Sequence, residues 1–377
     1  MADARATAAT GSIPGRSGPG RSGPGRSGLS AAPLPLALTL GEPGGIGLDV
    51  TLQAYQRHRD LPPFYLLGDA DALARRAACL GLEVPIEATD PSAAAGVFAR
   101  ALPVVAVGHP VVGEPGRLVP ADAPAVIASI ETAVEHVRTG LAAAVVTNPI
   151  NKHALYGAGF RFPGHTEFLG ELARRFGPGP APGGAWTPIM MLAGPELRAV
   201  PVTVHVALAA VPGLLTTDLI VETGRIVAAD LAARFGLKTP RLAVGGLNPH
   251  AGENGTMGRE DDAVVAPAVA ALKGLGIDAF GPLPSDTMFH PAARRGYDAA
   301  LLMYHDQALI PVKTIAFDET VNVTLGLPFV RTSPDHGTAL DIAGTGRARP
   351  DSLVAALRMA ARMAAADATG IPAGAAA

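Results

Sequence analysis

The sequence predicts an α/β fold in which short buried strands alternate with helices. Eight short apolar runs have the length and composition of strands: 34–40, 63–67, 104–107, 143–147, 189–192, 199–206, 242–246 and 299–304. Helical patterns lie between several of them, at 124–138, 217–235, 261–275 and 352–366. Apolar strands that alternate with helices are typical of a parallel-rich sheet that helices cover on both faces.

The length of the chain predicts two lobes. Roughly 340 ordered residues exceed what one hydrophobic core comfortably holds, so we expect two α/β/α lobes with a central cleft. The first lobe is predicted to span 33–146 together with about 306–377, and the second about 147–305. Residues 1–32 are left out because the pentad GRSGP recurs there and small polar residues dominate. Such a segment buries too little apolar surface to offset its ordering entropy, and we predict a disordered tail.

Composition excludes several classes of function. Hydrophobic residues make up 48% of the chain and its net charge is −3, which gives no basic footprint for nucleic acid or an anionic membrane. The single cysteine, Cys79, excludes an internal disulfide framework and a multi-cysteine zinc site, and we expect it to be a small buried residue. No segment has the run of about 18 apolar residues that a membrane helix needs. We therefore expect a cytoplasmic protein.

Polar, glycine-rich segments stand where the predicted strands end. They are 41–49, 147–153, 164–168, 246–255, 284–289, 303–307 and 332–344. In open α/β folds, ligands bind beyond the carboxyl ends of the strands. We therefore predict that these segments converge on a single cleft.

Three histidines stand out in these segments and in the predicted strands. His165 lies between Gly164 and Thr166, His205 interrupts the predicted strand PVTVHVAL, and His305 ends another predicted strand. With Asp286 and Asp306 in similar contexts, these imidazoles suit a divalent metal site with mixed nitrogen and oxygen ligands. Their scattered spacing does not prove such a site, and for each one a structural histidine is the alternative.

Other segments could hold an anion or a nucleotide. Lys152, Lys313 and Arg331 lie in polar loops or at strand ends, where a phosphate or carboxylate could bind, although for each a solvated surface charge is the alternative. The segment GEPGGIG (41–47) resembles a phosphate-binding loop but matches neither GxGxxG nor the P-loop pattern. A substrate cradle and a tight turn from strand to helix remain equally open for it.

Taken together, these segments resemble the 4-hydroxythreonine-4-phosphate dehydrogenases of the vitamin B6 pathway. The matching stretches, in order, are GEPGGIG, TNPINK, GHTEF, VTVHVAL, GLNPHAGENGTMG, GPLPSDTMF, MYHDQALIPVK and VNVTLGLPFVRTSPDHGTALDIAG. The resemblance runs from about residue 36 to about residue 363. The family is similar in fold to isocitrate and isopropylmalate dehydrogenases, which implies that fold for the two predicted lobes.

The resemblance implies a metal shared between subunits. His165 of GHTEF, His205 of VTVHVAL and His305 of MYHDQ match the family's metal ligands. In the family the last ligand comes from the neighbouring subunit, which implies a homodimer with a shared active site and places dimer contacts in the second lobe. One divalent ion, Zn, Mg or Co, is expected. Asp286 and Asp306 match carboxylates near the metal and are our candidate catalytic bases, with metal-bound water as a further alternative.

The resemblance also assigns substrate and cofactor contacts. Residues that match substrate contacts of the family are Asn151, Lys152, Lys313, Asn322 and Arg331, the last three at 8, 17 and 26 positions after His305. Position 151 is histidine in some relatives, which puts an acid–base role for Asn151 in doubt. The stretch HGTALDIAG is similar to the one that holds the adenosine part of NAD in the related dehydrogenases. It supplies the expected NAD(P) contacts, which are His336, Gly337, Thr338 and Asp341.

The implied reaction is an oxidative decarboxylation. The family oxidises 4-phosphooxy-L-threonine at C3, and the β-keto acid then loses carbon dioxide to give 3-amino-2-oxopropyl phosphate. A sister enzyme acting on D-erythronate 4-phosphate, D-threonate 4-phosphate or a cis-dihydrodiol carboxylate would use the same metal and cofactor sites. A metal-dependent phosphohydrolase is a rival from another class, and it has no use for HGTALDIAG. A catalytically silent metabolite-binding protein is a third reading.

Overall fold

The computed structural model describes residues 33–181 and 184–368. The predicted tail, 1–32, lies outside the described residues. The strands are β1 (Leu36–Thr39), β2 (Phe64–Gly68), β3 (Ile86–Ala88), β4 (Leu102–Ala106), β5 (Val145–Val146), β6 (Ile189–Ala193), β7 (Arg198–Pro201), β8 (Arg241–Gly245), β9 (Asp278–Leu283), β10 (Ala299–Leu302), β11 (Val321–Leu325) and β12 (Arg331–Pro334). The α-helices are α1 (Gly47–Arg57), α2 (Ala70–Leu80), α3 (Ala94–Phe98), α4 (Ala123–Arg138), α5 (Lys152–Gly157), α6 (His165–Ala173), α7 (Val211–Leu214), α8 (Thr217–Phe235), α9 (Ala266–Gly274), α10 (Pro291–Arg294), α11 (His305–Ala316) and α12 (Asp351–Ala368).

The strands form one twelve-stranded sheet in the order β3-β4-β2-β1-β5-β12-β11-β6-β7-β10-β8-β9. In each outer portion of the sheet, from β3 to β12 and from β7 to β9, neighbouring strands run parallel, as expected for strands joined through helices. In the centre, β11 runs antiparallel to both β12 and β6, and β6 runs antiparallel to β7. The predicted α/β class is confirmed, whereas the boundaries of the two lobes stay a prediction.

Several of the strands are fully buried apolar segments. All four residues of β1 and all five of β2 are buried, and α1, α4 and α12 lie among the helices that cover the sheet. Strands buried on both faces have continuous rather than alternating apolar sequences. No helix in the described parts of the chain is long and apolar enough to cross a membrane.

Several predicted elements need correction. The strand predicted at 199–206 ends at Pro201, so His205 lies in a loop with a left-handed backbone, φ 54°. The strand predicted at 299–304 ends at Leu302, and His305 is the first residue of α11. The sequence analysis missed β3, β9, β11 and β12, which are short or flanked by proline and glycine. Cys79 is exposed rather than buried.

A buried ion pair joins the first two helices to three loops. Asp49 in α1 and Arg76 in α2 are 0% and 2% exposed and bind each other directly. Arg76 also donates to the carbonyl oxygens of Pro43 (2.7 Å), Gly45 (2.9 Å) and Gly113 (3.2 Å). Asp49 accepts a hydrogen bond from the backbone N–H of Gly344 at 2.7 Å. The pair therefore fixes the loop 41–47 against the segment HGTALDIAG.

We predict that Asp49→Asn lowers the free energy of unfolding by about 3–5 kcal/mol, because it leaves the Arg76 guanidinium buried without its counter-charge. Urea denaturation at a fixed protein concentration measures the change. Arg100→Gln is the matched control, because it breaks the exposed ion pair with Glu87 and is expected to have a much smaller effect. A loss for Asp49→Asn no larger than that of the control would contradict the assignment.

Candidate active site

Seven predicted site residues line one pocket, which we call the anion pocket. It has a volume of about 380 Å³ and is built from the end of β5 and from α5, α6, α11, β11 and β12. The predicted residues that line it are Lys152, His165, Lys313, Asn322 and Arg331, together with Gly337 and His336. Thr147, Ser333 and Asp335 line it as well. Cationic side chains far apart in sequence thus meet in one place.

Arg331 is the most deeply placed cation of the anion pocket. It is 3% exposed and donates to the hydroxyls of Thr324 at 2.9 Å and Thr147 at 2.6 Å. Neither partner is charged, and burial lowers the pKa of Arg331 to about 10. The guanidinium therefore remains protonated at neutral pH. The alternative of a solvated surface charge is wrong for this residue.

The two lysines of the pocket have different surroundings. Lys313 lies in α11, not in a loop, and pairs with the Asp335 carboxylate at 2.7 Å. Lys152 is the first residue of α5. Asn151 does not line the anion pocket, and its side chain caps α5 by accepting a hydrogen bond from the N–H of Ala154 at 3.2 Å. Its contact with substrate stays a prediction.

His165 presents a neutral imidazole to this charged environment. Burial holds its pKa well below the usual value, and the positive charges of Arg331 and Lys152 lower it further. Its Nε2 is buried and has no hydrogen-bond partner among the described residues. A buried ring nitrogen without a partner is costly unless a ligand satisfies it. His165 is therefore in the neutral form, which is the form of histidine that binds metals.

His205 and His305 form a second group. Their ring centroids are 5.6 Å apart, and Nδ1 of His305 is 2.8 Å from Oδ1 of Asp306. Burial lowers the pKa of His205, as do the charges of His305 and Lys152, while Glu167 opposes them. The pocket around this pair has a volume of about 230 Å³. Within the described ranges, no group of three or more histidine, cysteine, aspartate or glutamate side chains is close enough to hold a metal.

Asp286 lines a neighbouring pocket. That pocket has a volume of about 330 Å³ and shares Tyr304 with the pocket of His205 and His305. Gln307, which lines the same pocket as Asp286, donates to the carbonyl of Gly246 at 2.6 Å and to the hydroxyl of Ser285 at 2.7 Å. Asp286 and Asp306 thus line different pockets of one chain.

A further pocket adjoins the anion pocket and is formed by the segment HGTALDIAG. It has a volume of about 250 Å³ and contains Ile46, Phe317, Ala339 and Ile342. Asp335 and His336 line both it and the anion pocket. Thr338 accepts a hydrogen bond from the N–H of Ile46 through its backbone oxygen, and Asp341 is outside the lining. We call this the nucleotide pocket because of the segment that forms it.

The loop 41–47 is a buried turn and not an open cradle. The N–H groups of Gly44, Gly45 and Ile46 are used by Glu42 Oε1, the Glu42 carbonyl and the Thr338 carbonyl. A Cβ at Gly45 would come within 2.7 Å of the Thr338 oxygen, so the close approach requires glycine. Of the two interpretations left open by the sequence, these contacts support the tight turn. Ile46, in this turn, lines the nucleotide pocket, so the turn forms part of the pocket's wall.

Two further residues near these pockets were not predicted from the sequence. Asp335 neutralises Lys313 and lines two pockets, and its position directly after β12 was the available signal. Glu167 lies beside Lys152, since a Cβ built at Gly164 would approach both side chains within 3.4–3.6 Å. The GHTEF motif could have indicated Glu167, but only the histidine of that motif was predicted as a site residue.

Comparison with known proteins identifies close relatives. A family model described as pyridoxal phosphate biosynthetic protein PdxA matches residues 60–360. A 4-hydroxythreonine-4-phosphate dehydrogenase from Xanthobacter autotrophicus is 59% identical over 339 residues, which are 89% of this chain and 95% of that protein. The structure of a 4-hydroxythreonine-4-phosphate dehydrogenase from Klebsiella pneumoniae has a TM-score of 0.76 at 33% identity and covers 88% of this chain and 99% of that one. The structure of a terephthalate 1,2-cis-dihydrodiol dehydrogenase from Burkholderia xenovorans has a TM-score of 0.58 at 27% identity, with 87% and 98% covered.

We predict that inorganic phosphate stabilises the protein through the anion pocket. Because no carboxylate among the described residues pairs with the buried Arg331, a bound anion supplies the missing counter-charge, and saturation at about 100 times Kd adds roughly 2.7 kcal/mol. Thermal unfolding with increasing phosphate at constant ionic strength measures this. Arg331→Gln should abolish the phosphate dependence and the control Arg100→Gln should keep it. Equal stabilisation of both variants would contradict the assignment.

Proposed function

This chain belongs to the PdxA family of pyridoxal phosphate biosynthetic proteins, and from that premise we propose that it is an oxidoreductase that acts on 4-phosphooxy-L-threonine. In the proposed reaction C3 of the substrate would be oxidised, with NAD(P) as the hydride acceptor and a base as the acceptor of the hydroxyl proton, and the β-keto acid would then lose carbon dioxide. The observation that carries the proposal is the anion pocket with its three cations, which shares Asp335 and His336 with the nucleotide pocket. A phosphorylated hydroxy acid and a dinucleotide need neighbouring sites of this kind.

The cations of the anion pocket would bind the substrate's two anionic ends. Arg331 is already desolvated and held by two threonine hydroxyls, so little reorganisation is required when an anion binds. Lys152 and Lys313 provide two further positive charges, one of them shared with Asp335. Asn322, beside them on β11, can donate or accept a hydrogen bond. Fixing both ends of a small substrate orients C3 toward the nucleotide pocket.

The residues present fit a divalent metal. His165 has an unsatisfied buried nitrogen and a lowered pKa, and His205 and His305 present two more imidazoles near Asp306. When bound, a zinc, magnesium or cobalt ion would supply Lewis-acid polarisation of the substrate's hydroxyl and keto oxygens. NAD(P) would supply the hydride acceptor. Asp286 and Asp306 remain the proposed bases, because each lines a pocket that Tyr304 borders.

We propose that the active site is shared across a homodimer. His205 and His305 lie together while His165 belongs to the anion pocket, and no single group of three ligands forms within the described part of one chain. The loop after His205 exposes apolar side chains, with Val206 41%, Leu208 67% and Leu214 48% exposed. Exposed apolar clusters of this kind mark contacts with another chain. We also propose the cytoplasmic location that the sequence predicts.

A sister dehydrogenase is the second candidate. The likeness to the terephthalate 1,2-cis-dihydrodiol dehydrogenase structure favours it, since that enzyme's named substrate is also an anionic diol. Identity of 27% to that structure, against 59% to the Xanthobacter autotrophicus protein, supports the phosphorylated substrate instead.

We expect NADH or NADPH to form from 4-phosphooxy-L-threonine and to stop forming when the metal is removed. Absorbance at the nicotinamide band, with and without EDTA and after readdition of zinc, magnesium or cobalt, measures both effects. D-threonate 4-phosphate, D-erythronate 4-phosphate and terephthalate dihydrodiol are the comparison substrates. Faster turnover of one of these would select the sister activity. Full activity after chelation would exclude the metal, and release of phosphate without NAD(P) would favour a phosphohydrolase.

We expect two inactive variants to complement each other. His165→Ala and His305→Ala should each lose metal-dependent turnover, because each removes one imidazole. Mixing them under conditions that exchange subunits should restore roughly a quarter of wild-type activity, since half of the dimers are mixed and each mixed dimer carries one intact site. The closeness of His205 and His305 in one chain supports taking both from the same subunit, whereas the resemblance takes only His305 from the partner. Mixing His205→Ala with His305→Ala separates the two arrangements: no recovery supports the first, and recovery supports the second. Absence of recovery in the first mixture after verified exchange would contradict the shared site.

A further inference from the structure

A large cavity lies apart from the pockets described above. Its volume is about 730 Å³, and it is bounded by α12, the end of α8 and the turn between β6 and β7. We call it the arginine cavity. Its apolar lining consists of Phe235, Val321, Val354, Met359 and Met363, and its cationic lining of Arg198, Arg234, Arg358 and Arg362 with His58. A cavity of this size accommodates a drug-sized or nucleotide-sized molecule.

The arginine cavity is separate from the anion pocket. Val321 lines the cavity and the next residue, Asn322, lines the anion pocket. Successive side chains of a strand point to opposite faces of the sheet, so β11 stands between the two. With the nucleotide pocket the cavity shares Asp351, at the start of α12. A ligand in the arginine cavity would therefore leave the substrate site accessible.

Two of the four arginines already have carboxylate partners. Arg234 pairs with Asp230 at 3.2 Å and Asp367 at 3.5 Å, and Arg358 pairs with Asp60 at 2.6 Å. These pairs hold their guanidinium groups in place at the wall. Their charges are largely compensated, so they do not by themselves indicate a ligand.

The inference depends on the other two arginines, Arg198 and Arg362. Arg198 donates to the carbonyl of Asp298 at 3.0 Å and stacks over the ring of Phe235, 5.1 Å from its centroid. Among the described residues, neither Arg198 nor Arg362 has a carboxylate within ion-pair distance. Burial lowers the pKa of Arg198, although the charge of the Asp298 carboxylate opposes this shift. The carboxylates that line the cavity, Glu319 and Asp351, are both exposed, and among the described residues neither forms an ion pair with Arg198 or Arg362.

We propose that the arginine cavity is a second small-molecule site that binds an amphipathic anion, with an aromatic or branched apolar body and one phosphate, carboxylate or sulfonate group. The apolar body would pack on Phe235, Met359 and Met363, and the anionic group would pair with Arg198 and Arg362. Guanidinium groups that have no ion-pair partner among the described residues and lie beside an apolar surface are complementary to this class of ligand. The site does not depend on the proposed enzymatic reaction.

The probe is 8-anilinonaphthalene-1-sulfonate, an aromatic sulfonate whose fluorescence rises when it binds in an apolar site. We expect one saturable site per full-length chain, and we expect saturating NAD to leave the probe bound. Arg362→Gln and Arg198→Gln should each weaken binding about tenfold, because each removes one charge-assisted hydrogen bond. Met359→Glu should abolish binding by placing a carboxylate in the apolar lining, whereas Met359→Leu should retain it.

Arg174→Gln is the matched control, because Arg174 is an exposed arginine that does not line the cavity, and its variant should bind the probe as the wild type does. Circular dichroism and thermal unfolding establish that each variant is folded. If Arg198→Gln does not fold, the exposed Arg362 decides the outcome. Unchanged affinity in Arg362→Gln, or displacement of the probe by NAD, would overturn the proposal.

Discussion

The buried pair of Asp49 and Arg76 is the interaction on which the arrangement of the pockets depends. Four of the groups that it binds are backbone atoms, and they belong to three loops. An ion pair taken out of water stabilises a fold only when further hydrogen bonds satisfy its remaining atoms. Here those bonds go to the loop 41–47, the loop at Gly113 and the segment that forms the nucleotide pocket. The chief effect of the pair is therefore to hold these loops in fixed positions relative to one another.

The chemistry of the candidate site follows from an imbalance of charge. Arg331 is buried against neutral hydroxyls and Lys152 stands near it, whereas Lys313 is compensated by Asp335. Burial, and then the charges of Arg331 and Lys152, hold the pKa of His165 low and keep its imidazole neutral. The same group of residues can therefore attract an anion through its cations and bind a metal through the nitrogen lone pair of His165. Since the charges are fixed before any ligand arrives, little reorganisation is required on binding.

Much of the fold and site could be predicted from sequence, for physical reasons. Long apolar periodic segments such as α4, α8 and α12 were found because burial requires their patterns, and the polar segments after strands were found because parallel strands end at one edge. Short strands such as β11 and β12 were missed, since four or five residues with threonine, serine or proline carry little periodicity. The role of Asp335 could not be predicted, because its partner Lys313 is distant in sequence. The conformation of His205 depends on where β7 ends, which tertiary contacts decide.

The order of strands in the sheet has a consequence for synthesis of the protein on the ribosome. The neighbours of β5 and β6 in the finished sheet are β12 and β11, which are among the last elements to be made. Until they emerge, the nascent chain carries two interior strands with unpaired backbone edges, which are templates for mispairing with other chains. Folding of the two parallel portions can begin earlier, but they can be joined only near the end of translation. Truncation late in the reading frame would therefore remove the centre of the sheet rather than its edge.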